Sequence, residues 1–130
     1  MADRKGRSEL HYCAGTGTAL DAVRLIDAGE DPGLQDNDGF TPLHFAAEEG
    51  NAEAARVLIE RGAPIDRVNK FGNTPLFTAV SNSRGEGEFI CLLRDAGADP
   101  WRENKFGQTP VGLARSIANY DVRQFFDDLK

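Results

Sequence analysis

Residues Asp38–Asn51 read DGFTPLHFAAEEGN, and their interpretation decides the fold. Asp38-Gly39 suits a tight turn, because glycine tolerates positive φ. Thr41 follows as an N-cap whose hydroxyl can accept a free backbone N–H. Pro42 stands at the first helical position, where its missing N–H costs nothing. Leu43, Ala46 and Ala47 fall at i, i+3, i+4 and make one apolar face, with alanines small enough to let another helix approach. Gly50-Asn51 breaks the helix. Ala54, Val57 and Leu58 repeat the spacing in a second helix, and Gly62 closes it as a C-cap. The unit is therefore a turn, a helix, a break, a returning helix and a loop.

This unit recurs. GRSELHYCA starts at Gly6, GFTPLHFAA at Gly39, GNTPLFTAV at Gly72 and GQTPVGLAR at Gly107, with spacings of 33, 33 and 35. A second series, Gly29, Gly62 and Gly97, is spaced 33 and 35. Two landmarks thus share one period and place a two-residue insertion in the same unit. A helix pair of this size cannot bury its apolar face alone, so the units must stack.

TPLHFAA at a 33-residue period with a closing Gly-Ala resembles the ankyrin repeat. The resemblance runs from about Asp3 to Lys130. It is sharpest in the second unit, clear in FGNTPLFTAV and FGQTPVGLA, and looser in the first, where Ser8-Glu9 replace Thr-Pro. It implies an all-α ankyrin-repeat solenoid of four helix-turn-helix units, one domain over 1–130. The repeats fall at approximately 3–35, 36–68, 69–103 and 104–130, the first and last acting as caps. Val122, Phe125, Phe126 and Leu129 follow i, i+3, i+4, i+7, with polar Arg123, Gln124, Asp127, Asp128 and Lys130 between them. That pattern is expected to turn one apolar face to the third unit and a wet face outward. The protein reads as complete, with no linker or second domain.

The bulk numbers agree with a single core. The 130 residues are 40% hydrophobic and 28% charged, ordinary for a globular domain. No apolar run approaches the roughly 20 residues of a membrane span, and MADRKGRSELHY lacks the apolar region of a secretory signal. Cys13 and Cys91 lie in apolar stretches rather than a CxxC pair, so reduced, buried thiols in a cytoplasmic protein are expected. The net charge of −6 is concentrated: residues 21–66 hold eleven acidic and three basic groups. Such a belt repels nucleic acid and anionic membranes and favours a partner with a basic surface.

Features that resemble active sites dissolve into the repeat. His11 and His44 hold equivalent positions 33 apart, which a catalytic or metal pair would seldom do. In ankyrin proteins this histidine bonds near the turn and knits adjacent units. Glu48 and Glu49 are consecutive at a helix end and point in different directions, and no nucleophile or base accompanies them. AGTGTAL lacks the GK[ST] ending of a phosphate loop, and SRGEGE is acidic. Ser83–Glu88 reads as a lengthened break between two helices, with a secondary contact site as its sharper reading. No cofactor, metal or catalytic residue is expected.

The resemblance places protein binding on the turn tips and the inner helices. Carried over by position, the partner-binding candidates are Tyr12, Asp38, Phe40, Phe45, Glu48, Glu49, Phe71, Thr78, Asn82 and Phe106. Tyr12 and Phe45 are the better anchors. Phe71 and Phe106 either anchor a partner or pack on neighbouring turns. Trp101 is expected to be buried against the fourth unit, with surface anchoring the alternative. The expected function is non-catalytic protein binding by a protein that is monomeric when free. The chain is also similar to short free-standing bacterial ankyrin proteins, some of which are immunity proteins. That implies an inhibitor occluding a cognate toxin with a basic surface. A general cytoplasmic adaptor is the alternative, and an enzyme or small-ligand binder a more distant one.

Overall fold

A computed structural model describes residues 3–129; the expected polar face of Lys130 lies outside them. Seven α-helices form among the described residues: α1 Glu9–Thr16, α2 Ala19–Asp27, α3 Pro42–Glu49, α4 Ala52–Glu60, α5 Pro75–Ser81, α6 Glu88–Asp95 and α7 Pro110–Ser116. A 3₁₀ turn, Arg123–Phe126, follows. No strand is present among them. Helices α1, α3, α5 and α7 stack in chain order as one layer, and α2, α4 and α6 stack as the other. The architecture is an all-α repeat solenoid.

The stacking register is the repeat register. Leu10, Leu43, Leu76 and Val111 occupy one position in four units, and all are fully buried. Ala46, Ala79 and Ala114 line the next row, each nearly or fully buried. Truncating such a leucine costs about 2–5 kcal/mol, whereas losing a threonine cap costs about 1 kcal/mol. The stack, more than the individual helix ends, therefore holds the fold. The caps are nonetheless in place: Thr41, Thr74 and Thr109 each accept the backbone N–H three residues on, with Pro next in the chain. Asn51 caps α4 and also reaches back, donating from Nδ2 to the carbonyls of Ala14 and Gly17 at 3.0 Å.

Three expectations need correction. The apolar face of the last unit does turn inward, with Val122 and Phe126 fully buried, but the segment is one 3₁₀ turn rather than an α-helix. Phe125 sits so close to Gly87 that a methyl group there would lie 2.1 Å from the ring. Thus the inserted break of the third unit, which includes Arg84 at φ +52, is packed on by the fourth. The thiols are not both buried. Cys91 is exposed and Cys13 half-buried, because α6 turns Phe89, Ile90 and Leu93 inward and Cys91 shares the outer register position of exposed Arg56. Trp101 is not buried against the fourth unit either. It is 46% exposed, with the Arg115 guanidinium 5.6 Å from its ring centre.

Candidate protein-binding surface

Each turn tip is built around one side chain that the glycine pattern does not reveal. Asp36 Oδ1 accepts the N–H groups of Asp38 and Phe40 at 2.9 and 2.8 Å. Asn69 does the same for Phe71 and Asn73, and Asn104 for Phe106 and Gln108. Asp3 holds Lys5 and Arg7 in the first unit. These four residues are spaced 33, 33 and 35, the period already seen in the glycines. That third series was the available sequence signal for them. The tips are also tied to one another: Asn37 N donates to Lys5 O at 2.7 Å, Lys70 N to Asp38 O at 2.8 Å, and Lys105 N to Phe71 O at 3.0 Å. A row of tips so bonded is a pre-formed surface.

The two histidines stand beneath this row. His44 Nδ1 accepts the N–H of Thr41 at 3.1 Å, which fixes the neutral ring with its proton on Nε2. Nε2 then donates to Asn73 O of the next tip at 2.8 Å. His11 repeats the arrangement, accepting from Ser8 N at 3.0 Å and donating to Phe40 O at 2.9 Å. Burial pushes the His44 pKa down to about 4, and protonating Nδ1 would also set two donors face to face. Burial lowers the His11 pKa as well. Every ring nitrogen is engaged, Nδ1 at the start of its own helix and Nε2 in joining units, so neither imidazole is placed for acid–base work.

Among the candidate contact residues, Tyr12, Phe40 and Phe45 form one cluster. The Tyr12 and Phe45 rings meet edge to face at 6.1 Å, and Phe40 and Phe45 at 6.4 Å. Arg7 lies 4.9 Å from the Phe45 ring centre and pairs with buried Asp36 at 3.1 Å. Tyr12, 47% exposed, donates its hydroxyl to Asp3. Phe45 and Phe40 are half-buried by these neighbours. At the other tips Phe71 is 41% and Phe106 71% exposed. Lys70 stands 5.2 Å from the Phe71 ring centre and 3.6 Å from Asp38. Thr78 does not belong among exposed contacts. It is 7% exposed, and forms the floor of a cleft of about 180 Å³ whose walls include Phe40, Glu48, Phe71 and Asn82. Glu48, Glu49 and Asn82 are exposed. Although consecutive, Glu48 and Glu49 line a single second cleft. Burial, then the neighbouring Glu49 carboxylate, pushes the Glu48 pKa up.

Among the described residues, no cluster of His, Cys, Asp and Glu is arranged to hold a metal ion, and no helix is long and apolar enough to cross a membrane. A family model of ankyrin repeats, in three copies, matches residues 10–104. The chain belongs to the ankyrin repeat family. Ankyrin repeat proteins are generally non-catalytic modules that bind other proteins, and both histidines of this chain are spent on joining its units. A comparison with curated proteins returned no match. The match begins within the first helix and ends at the Asn104 turn, so it covers α2 to α6 of this ankyrin protein whole.

Proposed function

We propose that this ankyrin protein binds a partner protein without catalysis, through the turn tips and the exposed face of α1, α3 and α5. The contact residues are Tyr12, Asp38, Phe40, Phe45, Glu48, Glu49, Phe71, Asn82 and Phe106. The observation that carries this reading is the aromatic cluster of Tyr12, Phe40 and Phe45, held at the surface by hydrogen-bonded tips. Partly exposed aromatics on a rigid support are the usual anchors of interfaces, and a surface already ordered loses little entropy on binding. The acidic belt of residues 21–66 favours a partner with a basic surface and speeds encounter with it.

The partner of this reading is a toxin, and the protein is its cytoplasmic immunity factor, monomeric when free and built of four repeats over 1–130. The belt suits toxins that act on anionic substrates, since these carry basic surfaces of their own. Co-expression with a toxin candidate encoded beside this protein should restore growth and yield a complex. Neither rescue nor complex would refute the toxin reading, and capture of an unrelated harmless protein would favour an adaptor.

A further inference from the structure

The two extra residues of the third unit shape a cavity. The Ser83–Glu88 break and the end of α3 enclose a cleft of about 520 Å³, within the range of about 300–1,000 Å³ typical of ligand pockets. Its floor is apolar, formed by Ala47, Ala52, Ala79 and Phe89; Glu48, Glu49, Glu86 and Glu88 stand around it with one cation, Arg84, which pairs with none of them within 4.0 Å, so the rim stays acidic. Only Glu88 of these meets a cation within 4.0 Å among the described residues, Arg56 at 2.7 Å. Glu48 and Asn82 also line the smaller cleft floored by Thr78, so the two cavities share a wall.

The rest of the surface shows what such a wall accepts. Elsewhere on this face the chain supplies its own cation beside a ring and a carboxylate: Arg7 lies on Phe45 of α3 and pairs with Asp36, and Lys70 lies beside Phe71 and pairs with Asp38. Phe40 and Glu48 line the smaller cleft together, yet no cation of the described residues lies over Phe40 or pairs with Glu48. Resting on the protein-binding reading above, we propose that the two adjoining clefts take one segment of the partner protein, which crosses the Glu48 wall between them. That segment places an arginine against Glu48 and Glu49, and an adjoining aliphatic side chain beside Phe40 and Phe71. Arginine suits this place better than lysine, because its flat and weakly hydrated guanidinium stacks on apolar walls while pairing with two carboxylates.

The probe is the peptide acetyl-Leu-Arg-Ala-Leu-amide, titrated into the ¹⁵N-labelled full chain beside its citrulline counterpart, which keeps the shape and loses the charge. The arginine peptide should shift the amides of 47–50 and 82–88, with the citrulline peptide about threefold to fivefold weaker. In E48Q/E49Q the arginine peptide should fall to the citrulline level, while the unperturbed amide pattern elsewhere reports an intact fold. Equal responses to both peptides, shifts confined to other amides, or full binding by E48Q/E49Q would overturn the inference. So would shifts of these amides by calcium chloride with none by peptide, which would make the cleft a metal site. If the peptide fails while a captured partner still depends on Tyr12 and Phe45, this inference falls and the broader reading stands.

Discussion

His44 joins two turns through a neutral ring, and both its nitrogens are committed. His44→Ala removes a buried side chain and leaves Asn73 O and Thr41 N–H without their partner, so a loss of about 2–3 kcal/mol is expected. A chemical denaturation midpoint unchanged from wild type would remove the histidine from the scaffold. The same geometry fixes a pH dependence. Unfolded histidine titrates near 6.5, but in the folded chain burial lowers the His44 pKa to about 4. Between these values the unfolded chain binds the proton and the folded chain does not. The stability that neutral His44 contributes is therefore present above about pH 6.5 and drains away as pH falls toward 4. The lowered pKa of His11 adds in the same direction, while the raised pKa values of Glu48 and Asp66 oppose it at the acid end. Denaturation at pH 7, 6 and 5 should show this decline, and His44→Ala should flatten it.

At the scale of elements, the turns do as much as the helices to set the register, and the glycines report how. Gly39 has φ +83, and a methyl group on it would lie 2.8 Å from the Asn69 backbone of the next tip. Gly107 has nearly the same conformation, φ +75, with nothing within 4 Å of that position. Alanine at either site incurs the positive-φ cost of about 1 kcal/mol, but only at Gly39 must it also push two turns apart. Gly39→Ala should therefore lower the melting temperature clearly more than Gly107→Ala; equal losses would mean that the turns are not locked together. The helix pairs and their threonine-proline starts were legible in the sequence, because threonine, proline and a 3.6-residue apolar spacing act locally, whereas Asn51, read as a break, caps α4. The last helix was not. Val122, Phe125, Phe126 and Leu129 keep helical spacing, yet the segment winds into one 3₁₀ turn, where Phe125 fits against Gly87 of the inserted break. That fit is a tertiary contact and leaves no periodic trace.

For the whole molecule, stacking was legible because a period is a long-range signal written in local terms. The surface was less so. Tyr12 is exposed as its position in the unit implies, and Phe71, whose position left packing on a neighbouring turn open, is exposed too, but Thr78 sank to a cleft floor. Trp101 stayed at the surface, and Cys91 lies on an outer face. Which side of a short helix faces solvent depends on the neighbouring unit, whose fit a single sequence does not state. The clefts around Glu48 are likewise products of two units and an insertion. We propose that this ankyrin protein recognises another protein through its aromatic, acid-flanked face. The most direct measurement is parallel capture from native lysate by the wild-type chain and by Tyr12→Ala/Phe45→Ala, with mass spectrometry of the bound fractions and circular dichroism of both baits. A protein with a basic surface should be held by wild type and lost, or reduced at least about tenfold, by a variant whose helical spectrum is unchanged. The same protein retained equally by both baits would contradict it.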